Sequence, residues 1–134
     1  MIILDEQLSN RRTLDAIGAW YRGAVRSVTE LRPDTIIKDD AIPGLLCKER
    51  QPTFVTINVN HFWRKVPISR RFCVACFNVS DALVSVIPSL LRPLLHHAGF
   101  RNKRQRAGHV FRIDLDLRVR FYRFDNRKIQ TFRL

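Results

Sequence analysis

RRFCVACFNV, residues 70–79, is the stretch on which the fold turns. From Phe72 to Phe77 every side chain is apolar. The run has the length of a strand and is too short for a buried helix. A strand that is apolar on both faces needs cover on both faces, as strands in a parallel sheet have. Upstream, PTFVTIN at 52–58 sets β-branched and aromatic residues behind a proline and predicts another strand. Residues 2–5 (IILD) and Val25 to Thr29 predict two more. Between them lies a helix from about residue 10 to 22, capped by Ser9 or Asn10, with Leu14, Ile17, Gly18 and Tyr21 on one face.

Asp39 and Asp40 precede AIPGLLCKER, where Pro43 fits only inside a first helical turn. Asp39 is thus a plausible N-cap of a short helix running to about Arg50. Behind the RRFCVACFNV strand, Ser80 and Asp81 open a leucine-rich helix, with Pro88 marking either a kink or a fresh start. The tail alternates from Phe111 to Phe121, longer than a usual strand, and predicts a hairpin turning near Asp114–Asp116. The order β-α-β-α-β-β-α-β-β predicts a single α/β domain over residues 1–134 with a mostly parallel central sheet and a C-terminal β-hairpin. Sites in such sheets form at the carboxyl ends of the strands. There stand Asp5 and Glu6, then Asn58, with Asp39 and Asp40 opening the helix that leads into the third strand.

The chain has 24 basic and 12 acidic residues among 134, for a formal charge of +12. Residues 1–60 hold eight of each and net zero, so the whole excess lies in residues 61–134, with sixteen basic and four acidic side chains. Such asymmetry points to a polyanionic partner, RNA or DNA before an acidic protein or an anionic lipid. No apolar run reaches the ~18 residues a membrane span needs. The N-terminus lacks the basic-then-apolar layout of a signal peptide, and a cytoplasmic protein is expected. Cys73 and Cys76 form a CxxC, but on a strand positions three apart face opposite ways. With Cys47 they are expected to be structural thiols, not a zinc or disulfide pair.

Four pieces in order resemble the small bacterial PIN-like nuclease domains, relatives of VapC-type toxins. They are ILDEQLS, VRSVTELRPDTIIKDDAIPGLL, PTFVTINVNHFW, and RRFCVACFNV with its following helix, and together they span residues 2 to about 97. The resemblance implies a three-layer α/β/α sandwich and an acidic cluster holding Mg²⁺ or Mn²⁺ for RNA hydrolysis. Hard divalent cations take carboxylate and water oxygens, and a bound metal activates water at the phosphate. Carried over, Asp5 matches the first acid with Glu6 beside it, and Asp39 or Asp40 matches the second. Asn58 stands where the third acid belongs, and Asn60 or His61 where the fourth does. The resemblance implies a metal-dependent endoribonuclease, the toxin of a toxin–antitoxin pair, with RNA and an antitoxin as partners and a homodimer as its assembly. The alternative, given the replaced acids, is a PIN-like domain that binds RNA or a protein partner without cutting.

Each candidate has a plainer role beside it. Asn58 suits a turn, Phe62 and Trp63 suit the core, and His96 and His97 suit a helix end. Asp114 and Asp116 read as charge balance among arginines. For RNA contact the candidates are Arg64, Lys65, Arg70, Arg71, Arg101, Lys103, Arg104 and Arg106, in segments that mix basic with aromatic side chains.

Overall fold

A computed structural model describes residues 1–134. Seven strands form one sheet in the order β2-β1-β3-β4-β5-β6-β7. They are β1 (Ile2–Leu4), β2 (Val25–Ser27), β3 (Thr53–Thr56), β4 (Cys73–Phe77), β5 (His109–Ile113), β6 (Arg118–Arg123) and β7 (Asn126–Arg133). The first five pair in parallel and the last two antiparallel. The hairpin turns at residues 114–117, as the alternation predicts. β7 was not anticipated. NRKIQTFR is almost entirely exposed, so it carries no apolar alternation to announce it.

Period-two alternation sorts the strands between two apolar clusters, one on each face of the sheet. Ile2, Leu4, Val55, Cys73, Ala75, Phe77, Phe111 and Ile113 join the first. It is covered by α1 (Arg11–Gly18) and by α4 (Ile87–His96), whose Ile87, Leu90, Leu91, Leu94 and Leu95 face inward. Ile3, Phe54, Val74, Cys76, Val110 and Tyr122 join the second, with Ile42 and Leu46 of α2 (Ile42–Leu46) and Phe62 of α3 (Val59–Phe62). Cys73 and Cys76 therefore stand on opposite faces, both buried. Burial pushes both thiols up, Cys73 to about 12.

Local chemistry sets the helix ends. Asn10, not Ser9, caps α1 by accepting from the Thr13 amide at 2.9 Å. α4 starts afresh at Ile87 with Pro88 in its first turn, after a separate 3-10 stretch over Asp81–Val86. Asp39 is not an N-cap. Lys38 holds that position without a side-chain bond, and Asp39 begins a 3-10 turn, Asp39–Ala41, ahead of α2. α3 was unforeseen between β3 and β4, because four residues give too short a periodicity to read. The short α5 (Lys103–Arg106) is closed by a reciprocal cap between Asn102 and Gln105. Gly108 then enters β5 at φ +88, where an added Cβ would meet the Phe124 ring at 2.7 Å.

Candidate functional site

Because β1 to β5 are parallel, residues that follow them gather at one edge of the sheet and residues that precede them at the other. The carboxyl edge holds the acids. Asp5 follows β1 and is 5% exposed. Its Oδ1 accepts from the Glu6 amide at 2.8 Å, capping the 3-10 turn Glu6–Leu8. Its Oδ2 accepts from the Thr56 hydroxyl at 2.6 Å. Burial raises the Asp5 pKa, and the charges of Asp39 and Glu6 push the same way, while the Thr56 and Glu6 hydrogen bonds oppose the rise. Ser9 Oγ donates to the Asp5 carbonyl at 2.8 Å, so the serine of ILDEQLS closes this turn and leaves the cap of α1 to Asn10.

Thr56 is the pivot. Its hydroxyl donates to Asp5 and accepts from the Asn58 amide at 3.0 Å. Asn58 spends its side chain twice: Oδ1 accepts from the His61 amide at 3.3 Å and caps α3, while Nδ2 donates to Asp39 Oδ2 at 2.9 Å. His61 then faces both remaining acids, with Nδ1 at 4.0 Å from Asp39 and Nε2 at 3.7 Å from Asp40. Asp5, Asp39, Asp40, Asn58 and His61 thus come together from three separate segments. Glu6 and Asn60 are exposed at the margin. Sequence reasoning missed Thr56, a polar residue set inside the apolar stretch of PTFVTIN two places before Asn58.

The donor set can be tested against a divalent cation. The Asn58 cap fixes its amide so that nitrogen, not oxygen, faces Asp39. Both Asp5 oxygens already accept hydrogen bonds. Among the His, Cys, Asp and Glu side chains, no group of three or more is gathered to hold a metal ion. As arranged, these residues do not fit the hard-cation cluster that the resemblance implies.

The basic candidates gather elsewhere. Arg70 and Arg71 precede β4 and Lys103 opens α5, and these distant segments meet around one recess of about 490 Å³ at the amino edge. Arg50 joins them, a residue the sequence analysis did not single out, and Glu49 is the one acid of the lining. Lys65 and Arg104 are exposed, outside this lining. Arg101 lines a second recess, beside Trp20 and His96. Arg64 is held at φ +66, its amide donating to the Tyr122 hydroxyl at 3.0 Å.

Arg106 departs from its expected role. It is 3% exposed, with Nε donating to Thr53 Oγ1 at 2.9 Å and one terminal nitrogen donating to the Phe100 and Arg101 carbonyls at 3.0 Å. This guanidinium ties α5 to β3 and is closed to a phosphate. Phe62 is likewise core, at 1% exposed, and Trp63 packs edge-on against Tyr122. Asp114 and Asp116 pair with Arg120 and Arg133, as charge balance requires. No helix is long and apolar enough to cross a membrane. Compared with known proteins, the chain significantly matches no family model, no curated protein and no solved structure.

Proposed function

We propose that the chain is a PIN-like domain of three-layer α/β/α architecture that binds RNA in the cytoplasm without metal-dependent cutting. The observation that carries RNA binding is the amino-edge recess. Arg50, Arg70, Arg71 and Lys103 face it from three parts of the sequence against a single acid. Unpaired guanidinium and ammonium groups around an open recess are what phosphate oxygens recognise. The PIN-like assignment rests on the convergence of Asp5, Asp39, Asp40, Asn58 and His61 at the opposite edge. The absence of cutting rests on the Asn58 amide, whose carbonyl oxygen serves the cap of α3. Titration of a fluorescent single-stranded RNA at several salt concentrations tests the proposal. Affinity falls steeply with salt, and Arg70→Glu with Arg71→Glu abolishes most of it. Salt-independent affinity overturns it.

A second reading is the metal-dependent endoribonuclease of a toxin–antitoxin pair, forming a homodimer and held by an antitoxin with acidic or apolar surface. One observation favours it: Asp5 and Asp39 lie close enough for the Asp39 charge to raise the Asp5 pKa, and both stand where the resemblance sets its first two acids. RNA incubated with the protein and Mn²⁺ or Mg²⁺, against EDTA, decides. Metal-dependent cleavage lost in Asp5→Asn selects the nuclease; intact RNA under every metal selects the binding domain.

A further inference from the structure

The amino edge has a second recess, on the other face of the sheet from the basic one. It measures about 550 Å³ and is lined by Trp20, Tyr21, Arg22, Leu95, His96 and Arg101. Trp20 and Tyr21 follow α1 and stand ahead of β2, while Leu95 and His96 end α4. The Trp20 ring meets Tyr21 edge-on at 6.2 Å and His96 edge-on at 6.0 Å, so three planar rings share one wall. Arg92 places its guanidinium 6.0 Å from the centre of the Trp20 ring. Arg22 and Arg101 are exposed at the mouth, and no carboxylate lines the recess.

Two half-buried aromatic rings, Trp20 and Tyr21, beside the exposed His96 and flanking arginines, with no acid, make poor protein core and a poor general surface. They suit a flat, uncharged ring that carries a negative linker. Arg101 also lies two residues before Lys103, which lines the basic recess. One strand of nucleic acid crossing the amino edge would meet both recesses in turn.

We propose that the Trp20–Tyr21–His96 recess is a nucleobase subsite for single-stranded RNA. One unstacked base enters beside Trp20, and Arg22 and Arg101 hold the phosphates on either side of it. The subsite rests on the RNA-binding function proposed above and adds to it the strandedness of the target. A duplex keeps its bases stacked inside and cannot supply one without paying to unstack it.

The test uses the full chain with Trp63→Phe, which leaves Trp20 as its one tryptophan. A short single-stranded RNA, the same RNA as a duplex, inorganic polyphosphate and 5′-AMP are titrated in parallel. The single strand quenches Trp20 fluorescence and binds tightest, and polyphosphate binds without quenching. Trp20→Leu weakens the single strand about tenfold to a hundredfold, as loss of one stacked base does. Arg101→Ala, at an exposed position that does not threaten folding, weakens it about tenfold. Single-stranded RNA that binds with the expected salt dependence but leaves Trp20 unquenched, and is unaffected by either substitution, overturns the subsite and leaves RNA binding standing. Quenching by 5′-AMP at the same concentration as RNA overturns it in favour of a free-nucleotide site. No binding of any RNA overturns both.

Discussion

At the carboxyl edge the enclosed polar groups are already occupied, Asp5 by Thr56 and Glu6, Asn58 by Asp39 and His61, while Glu6 and Asp40 stay exposed at its margin. At the amino edge Arg70, Arg71 and Lys103 stand around an open recess, and only Arg106 is consumed by the fold. The same sheet thus has one edge whose inner polar groups bond each other and one whose basic groups stand open around a recess. The sign of a charge says less about function than whether its hydrogen bonds are spent. Asp5, matched to the first acid of a nuclease family, is the most enclosed acid of its edge, while exposed Arg50, unremarked in the sequence, faces the recess.

That contrast is broken most severely at Arg106. Arg106→Ala leaves Thr53 and the Phe100 and Arg101 carbonyls without a buried donor, and a loss of about 3 kcal/mol is expected in urea unfolding. Arg106→Lys does not restore it, because a single ammonium lacks the planar fork that reaches all three acceptors. A loss under about 0.5 kcal/mol would show Arg106 to be as free as its neighbours.

Next comes the open edge itself. Arg70→Glu with Arg71→Glu lowers affinity for single-stranded RNA about a hundredfold near 0.1 M salt and reduces the log–log salt slope by about 1.4. Its melting temperature stays near that of the parent, since both side chains are solvated. Unchanged affinity would move RNA binding away from this edge.

Asp5→Asn sharpens the comparison from the acid side. The folded pKa of Asp5 is raised, so the folded state favours the protonated form. Stability is therefore highest at low pH and falls as pH rises from the ordinary carboxylate range through the raised folded value. An asparagine accepts from Glu6 and donates to Thr56 without a charge to desolvate. About 1 kcal/mol of added stability is expected at neutral pH, shrinking towards about pH 4. Parallel stability–pH curves for the two proteins would show that Asp5 carries no ionisation penalty.

The smallest effect belongs to His61→Ala. Its contacts with Asp39 and Asp40 are 4.0 and 3.7 Å, and the Asp40 side chain is 95% exposed. Solvent screens such pairs, so a change below about 0.5 kcal/mol is expected at neutral pH. A larger loss would make His61 part of the spent network and not its margin.

Much of the scaffold is legible in the residues. Alternation predicts that Cys73 and Cys76 part company, that the tail turns near Asp114–Asp116, and that β4 is covered on both faces, because side-chain direction along a strand is a local property of the backbone. The α/β class and mostly parallel sheet follow from the same pattern. β7 and α3 escape it: one is exposed at every residue but Phe132, the other is shorter than a helical period can register. Asp5 and the Asp39–Asp40 pair stand out from their place at strand and helix ends, and the resemblance adds a role to them, yet what they bond to is not readable in the sequence.

Sequence by itself determined that six of the seven strands exist, which face the residues of the apolar ones take, and that the positive charge lies in the second part of the chain. The tertiary structure alone decided that Thr56 would bond Asp5 across 51 positions, that Asn58 would turn its nitrogen to Asp39, and that of two nearby arginines Arg106 would be buried and Arg101 exposed. Periodicity runs along the chain and is written in neighbouring residues. Partnership across the sheet depends on strand order and register, and these are set by how two apolar faces are covered at once.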